Sequence, residues 1–303
     1  MAASSFTDAL EAAYAHNPRI TAERARQEAT DEGVSQALSN LRPSVSANYQ
    51  VGRQTNSINQ GNDTTGTYHN EGLTLTEPLF RGGGTWASYH AAKQRVQAGQ
   101  YQLSSVEQQV LLDAVTAYMD VVQASSILDL SKNNQDVLEK QLKAAQERFK
   151  VGEVTRTDVA QSEARLSGAK SQMIAAQGQL VSANSAFERV VGHKPEGALA
   201  MPDTMPELPA KLDEAIDMAH NANPEMLTAV HSAKSAHYLV DASAATLLPQ
   251  VSLVGSMNRQ YGVDFPGQAQ SAQDRIGVNV SIPLYQGGAE YSRVREASST
   301  ARQ

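Results

Sequence analysis

The sequence has no cysteine, few aromatic residues and no long apolar run. The absence of cysteine among 303 residues excludes disulfides, thiolate metal sites and an N-terminal lipid-bearing cysteine. Aromatic residues make up 5% of the chain, while alanine, glutamine and serine fill long stretches. This composition favours extended helices packed through small side chains over one thick core. No stretch approaches the roughly 18 apolar residues of a membrane helix.

An excess of basic charge is also missing. The 25 lysines and arginines are outnumbered by 32 acidic residues, giving a net charge of -7, which argues against nucleic-acid binding. The seven histidines show no metal-like spacing, and no Gly-Lys-Ser/Thr follows the paired glycines. The sequence therefore predicts no enzyme activity, no cofactor and no metal site.

Short segments of the chain occur twice, at an offset of 205 or 206 positions. The pairs are Asp8-Ala9-Leu10-Glu11 with Glu214-Ala215-Ile216-Asp217, Asn17-Pro18 with Asn223-Pro224, and Pro78-Leu79-Phe80-Arg81-Gly82-Gly83 with Pro283-Leu284-Tyr285-Gln286-Gly287-Gly288. Three ordered matches indicate two structural repeats. The first copy continues far beyond Gly83, so we expect further sequence after Gln303 to complete the second. The segment after Met1 does not resemble a signal peptide, so either the chain is cytosolic or a signal once preceded Met1; the incomplete second repeat favours the latter.

Apolar residues at alternating spacings of three and four predict a coiled-coil hairpin over about 84–191. One stripe with this spacing consists of Val110, Ala114, Ala117, Val121, Ala124 and Leu128. Val151-Gly152-Glu153 interrupts this spacing and marks the tip of the hairpin. Alternation with period two predicts four strands, at about 44–54, 67–77, 250–258 and 274–283. Polar loops, at 55–67 and 259–273, are expected within each strand pair.

Two turns are predicted where strand becomes helix, because proline ends a strand and glycine permits a sharp bend. Their residues are Pro78, Gly82 and Gly83, and Pro283, Gly287 and Gly288. The predicted organisation is a first repeat at 1–191, a proline-rich linker at 192–209 and an incomplete second repeat at 210–303. The fold class is mainly α with a small β part: long antiparallel coiled-coil helices and four membrane strands, in a duplicated helix-strand-strand-helix order.

This ordered set of features, duplicated, resembles the TolC-like outer-membrane efflux and type I secretion proteins. The resemblance implies a homotrimer, in which each copy gives four strands to one twelve-stranded barrel in outer-membrane lipid. It also implies a periplasmic helical tunnel in a Gram-negative bacterium. The implied function is a passive exit duct, served by a periplasmic adaptor and an inner-membrane ABC or proton-driven transporter. A periplasmic adaptor and a structural coiled-coil protein are the alternatives.

The resemblance implies that the hairpin tip docks the adaptor. The tip residues are Val151, Gly152, Glu153, Val154, Thr155 and Asp158. Ordinary turn chemistry is the alternative, since any helical hairpin needs a glycine and a cap, here Thr155 or Thr157.

Three aromatic residues lie near the strand-to-helix turns: Phe80, Trp86 and Tyr285. They form either an aromatic belt at the inner rim of the membrane or ordinary packing at the joint between strands and helices. The sequence does not decide between these two interpretations.

Overall fold

The computed structural model describes residues 5–58, 62–202, 209–265 and 268–303. Residues 59–61 and 266–267 of the predicted loops, and 203–208 of the predicted linker, lie outside this part of the chain. The first six elements are α1 (Phe6–His16), α2 (Pro18–Ser39), β1 (Ser44–Ile58), β2 (Asn62–Arg81), α3 (Gly84–Lys150) and α4 (Arg156–Val191). The next five are α5 (Leu212–Ala222), α6 (Pro224–Ala245), β3 (Gln250–Phe265), β4 (Gln268–Ser281) and α7 (Ala289–Arg302).

The order helix, helix, strand, strand, helix occurs twice, as α1 to α3 and again as α5 to α7. This confirms the predicted fold class, with long helices and a small antiparallel sheet. The described residues form two compact units: those within 1–26 and 102–222, and those within 27–101 and 223–303.

The first unit has its core between α1, α3 and α4. The predicted α3 stripe of Val110, Ala114, Ala117, Val121, Ala124 and Leu128 is buried throughout. Tyr118 and Phe187 are its largest fully buried side chains, with ring centroids 6.4 Å apart. The Tyr118 hydroxyl donates to the Ala200 carbonyl at 2.8 Å, so its one polar atom is satisfied.

One helix, α3, is long enough and contains a window apolar enough to cross a membrane by length and composition. The prediction that no stretch approaches a membrane helix is therefore wrong for α3 by length and composition. About 33% of the window is buried within the chain itself, and core helices of soluble proteins pass the same test. The apolar stripe of a coiled coil accounts for it without a membrane helix.

The second unit contains one antiparallel sheet with the strand order β1-β2-β3-β4. The strands are longer than predicted, because 55–58, 62–67, 259–265 and 268–273 are strand and not loop. These segments are rich in Thr, Gln, Asn and Gly, which resembles turn composition, but ladder pairing satisfies their backbone groups. Cross-strand side-chain bonds add to it, as between the Thr55 and Thr65 hydroxyls at 2.9 Å. Strand β4 ends at Ser281, two residues earlier than predicted.

Pro78 does not end its strand, contrary to the prediction. It pairs with Ser252 inside β2, and the register shifts between Pro78 and Phe80, leaving Leu79 as the extra residue of a bulge. A bulge accommodates the missing N–H of proline while the strand continues to Arg81. Pro283 lies two residues beyond Ser281, where β4 ends, so it follows the strand at a distance and does not itself end it.

Candidate functional site

The hairpin tip is the turn between α3 and α4. Gly152 has a φ of +81°, and its N–H donates to the Phe149 carbonyl at 3.1 Å. The Glu153 N–H donates to the Arg148 carbonyl at 3.0 Å. This pair of bonds is a Schellman motif, which satisfies the last carbonyls of α3 and requires a left-handed residue at Gly152.

Thr155 caps the returning helix, which settles the choice between Thr155 and Thr157. Its hydroxyl oxygen accepts the Asp158 N–H at 3.3 Å, and Asp158 Oδ2 accepts the Thr155 N–H at 2.8 Å. The Thr155 hydroxyl also donates to Asp158 Oδ2 at 2.8 Å. These contacts form a capping box that satisfies two free donors at the start of α4.

The capping box also favours the ionised form of Asp158. The backbone N–H and then the hydroxyl of Thr155 hold the pKa of Asp158 below its ordinary value, because both donate to its ionised carboxylate. At the end of α3, Lys150 pairs with Glu147 at 2.8 Å. The ionised carboxylate of Asp158 lies in the first turn of α4, at the positive end of the helix dipole.

The tip leaves apolar and polar surface open together. Val151 is 72% exposed, and a Cβ built on Gly152 would meet no atom within 4 Å. Glu153 and Thr155 are exposed and Val154 is half-buried. The backbone turn is fixed by hydrogen bonds while its outer surface contacts nothing in the described chain, so the tip is a preorganised convex surface.

The two strand-to-helix turns share one backbone conformation. Gly82 and Gly83 have φ values of +61° and +82°, and Gly287 and Gly288 have +70° and +82°. Only glycine adopts these angles without strain, so the predicted bends lie where the glycines are. Pro78 and Gly83 of the first turn also line a surface cleft.

The three predicted aromatic residues are all largely exposed. Phe80 and Trp86 line one surface cleft together with Leu41, and Trp86 meets Tyr89 edge-on at 6.1 Å. Tyr285 is 78% exposed, beyond the end of β4. The aromatic belt and ordinary packing at the joint between strands and helices both stay predictions.

The sheet has one apolar and one polar face. The ladder aligns Val45 with Leu75, Leu75 with Gly255, and Gly255 with Ile276, and the next row joins Ala47, Leu73 and Met257. On the same face, Val278 and Val280 are 61% and 55% exposed. A contiguous exposed apolar face of this kind marks a surface made for another molecule or for lipid.

The model of the family described as "Outer membrane efflux protein" matches residues 9–193 and 215–303 of the chain. The chain belongs to this family. The outer membrane efflux family confirms the resemblance inferred from the duplicated motifs, and it places the chain in the outer membrane of a Gram-negative bacterium.

Comparison with individual relatives gives the same family. The chain is similar to the outer membrane efflux protein BepC of Brucella suis, at 33% identity over 96% of the chain and 63% of that protein. It is also similar to TolC of Vibrio cholerae, at 24% identity over 93% of the chain and 65% of that protein. The chain thus spans a little under two thirds of the length of these relatives.

Solved structures of outer-membrane channels share the fold. The Campylobacter jejuni CmeC channel matches with a TM-score of 0.84 at 20% identity, covering 98% of this chain and 65% of that one. The VceC outer membrane protein of Vibrio cholerae matches with a TM-score of 0.78 at 18% identity, covering 98% and 72%. The order of helices and strands in this efflux-family chain is therefore that of known channels.

Charged residues border the apolar face along an oblique line, and the sequence prediction missed most of them. Counted outward from the Val45–Leu75–Gly255–Ile276 row, the first charge comes eight residues along β1, four along β2 and β3, and two along β4. These residues are Arg53, Glu71, Arg259 and Asp274. Arg259 binds Asp274 through two hydrogen bonds, at 2.6 and 3.2 Å. Alternation of polar and apolar residues past 258 was the signal that strand, not loop, held this pair.

Proposed function

We propose that this protein is the outer-membrane exit duct of a tripartite efflux or type I secretion system. It conducts substrates passively and catalyses no reaction. Three copies form the channel, and each gives its four strands to one closed barrel in outer-membrane lipid. The helices extend into the periplasm, where an adaptor links the channel to an inner-membrane ABC or proton-driven transporter.

The single observation that carries this proposal is a two-faced sheet with open edges. Within the described part of the chain, β1 and β4 each pair on one side only. The unpaired N–H and C=O groups of a sheet edge cost several kcal/mol each in hydrocarbon, so an open sheet does not span a bilayer. Other copies of the chain remove both edges by joining β4 of one copy to β1 of the next.

The oblique border of charges supports the same arrangement. From β1 to β4 it shifts by six residues, or ~20 Å along the strands at ~3.3 Å per residue, over ~14 Å across three strand spacings. The boundary of a bilayer is flat, so the strands must tilt by about 55° for these charges to lie at one depth. Strands of membrane barrels are also strongly tilted, by roughly 35–45°, so the border has the sense of a tilted barrel but is steeper than the usual angle.

The tip supports adaptor docking by its shape and exposure. A rigid convex turn with an exposed valine and an open glycine suits insertion between helices of a partner. Gly152 adopts the positive φ that the turn requires. Because it has no side chain, the outer surface of the turn is also open at this position.

Assembly and conductance test the proposal. We expect the protein, extracted from outer membranes with detergent, to migrate as a heat-modifiable trimer and to give discrete conductance steps in a planar bilayer. A stable monomer without conductance would contradict it, and would favour a structural or interaction role for the helical hairpin.

A further inference from the structure

The polar face of the sheet carries basic charge and no acidic charge among its described side chains. Strand β1 presents Ser44, Ser46, Asn48, Gln50, Gly52 and Gln54 on this face. On β2, β3 and β4 the face is built of hydroxyl, amide and glycine residues, with one valine, one tyrosine and one proline. The exceptions are Arg275 on β4 and Arg81 at the end of β2. This is unexpected in a chain with a net charge of -7.

The guanidinium of Arg275 has no partner among the described residues, and its side chain is exposed. Its row across the sheet consists of Ser46, Thr74 and Ser256. Gly277 follows on the same face of β4. Arg275 therefore extends from a floor of small neutral side chains, and no neighbour folds it back onto the sheet.

The nearest carboxylate in sequence does not neutralise Arg275. Asp274 precedes it, but successive side chains of a strand point to opposite faces. The carboxylate of Asp274 is bound on the apolar face by both terminal nitrogens of Arg259. Arg81 differs from Arg275, since it donates to Asn40 Oδ1 at 3.4 Å.

A neighbouring copy brings no counter-charge either. In the proposed trimer β4 pairs with β1 of the next copy, and the described polar face of β1 has only hydroxyl, amide and glycine residues. This holds for every register of that pairing. Each copy therefore adds the uncompensated charge of Arg275 to the water-filled side of the barrel. Arg81 adds a second positive charge at the end of β2, where its hydrogen bond to the neutral Asn40 amide holds the side chain without cancelling its charge.

We propose that Arg275 selects solutes by charge, favouring anionic over cationic ones in the barrel. This inference rests on the proposed function as a channel. Rings of charged side chains set ion selectivity in pores, with arginine and lysine rings favouring anions. The charge selectivity is electrostatic, so salt screens it. The Debye length is about 10 Å at 0.1 M salt and about 3 Å at 1 M, and the selectivity weakens once this length is well below the pore radius.

The test is the reversal potential of the trimeric protein in a planar bilayer under a KCl gradient near 0.1 M. We expect Arg275→Gln to lower the chloride-to-potassium permeability ratio by roughly two- to fivefold, and Arg275→Glu to lower it further. Arg53→Gln is the matched control. It removes the same charge from the opposite face of the sheet, and we expect it to leave the ratio unchanged.

Each outcome bears on one claim. An unchanged ratio in both Arg275 variants, with normal single-channel conductance, overturns the role of Arg275 and leaves the channel proposal intact. A protein that forms no channel at all overturns the proposed function instead. An equal change of the permeability ratio in Arg53→Gln also overturns the inference. Selectivity would then not depend on which face of the sheet carries the charge.

Discussion

The two ends of α3 are both flanked by glycines at positive φ, but their surroundings differ. A Cβ on Gly82 would lie 2.6 Å from the Ala245 carbonyl oxygen and 2.7 Å from Leu248 Cβ. A Cβ on Gly152 would meet nothing within 4 Å. Gly82 is needed for its conformation and for the close approach of α6, whereas Gly152 is needed for conformation alone. The same residue type thus marks a packed joint at one end and a free surface at the other.

The largest expected effect is on the packed joint. Gly82→Ala adds left-handed strain and a clash with backbone, so we expect it to lower the free energy of unfolding by about 2–4 kcal/mol. Gly83→Ala is the matched control, because Gly83 shares the turn and the positive φ but has open space around it. It should cost about 1 kcal/mol. Urea unfolding of the detergent-solubilised protein, followed by circular dichroism, measures both, and equal losses would remove the distinction between the two glycines.

At the free end of α3, we expect substitution to affect binding more than folding. Gly152→Trp and Gly152→Ala both carry the cost of positive φ, about 1 kcal/mol, but only tryptophan adds bulk to the outer surface of the tip. Crosslinking to the adaptor should be lost in Gly152→Trp and kept in Gly152→Ala, with trimer assembly unchanged in both. Intact crosslinking of the tryptophan variant would show that the tip is turn chemistry and no docking surface.

The capping box allows a smaller, local test at the same end. Thr155→Ala removes the cap of α4 and should lower the free energy of unfolding by about 1 kcal/mol. Thr155→Ser keeps the hydroxyl and should restore most of it. Thr157→Ala, two residues further on, should change stability by less than about 0.5 kcal/mol. If Thr157→Ala lowers the free energy of unfolding as much as Thr155→Ala does, the cap at Thr155 does not stabilise α4.

The smallest expected effect is on the pH dependence of stability. The pKa of Asp158 is lowered in the folded chain, so its stabilising contribution is complete above the ordinary aspartate pKa of about 3.9 and disappears as pH falls through the folded value. Asp158→Asn should therefore flatten the stability curve below about pH 4. Asp8, held the same way by the Ser5 hydroxyl and then its backbone N–H, keeps part of the slope. If stability falls with acid as steeply in Asp158→Asn as in the original chain, the capping box of α4 makes no contribution to the pH dependence.

Local signals in the sequence predicted the helical parts well. The break at Val151-Gly152-Glu153 and the threonine–aspartate spacing that follows it need only neighbouring residues, so the tip was placed correctly. The stripe from Val110 to Leu128 was predicted by its spacing and is buried. Coiled-coil packing repeats one local rule, so its contacts can be predicted from the sequence of each helix.

The sheet was predicted less completely because its extent depends on pairing between distant segments. The segments around Thr55 and Thr65 have the composition of a polar loop. Only the pairing of these two residues across the ladder shows that both belong to strands. The bulge at Leu79 arises from pairing with β3, which lies far along the chain. The pairing of Arg259 with Asp274 and the isolation of Arg275 follow from the register, which composition does not specify.

The open edges of β1 and β4 make the stability of the sheet depend on how much protein is present. If each edge is completed only by another copy, the free energy of unfolding of the membrane part includes an association term. The folded state then becomes more stable as protein concentration rises. A single copy in the membrane is then an incomplete folding unit, and a variant that weakens subunit contact lowers the amount of folded channel without changing any residue of the pore.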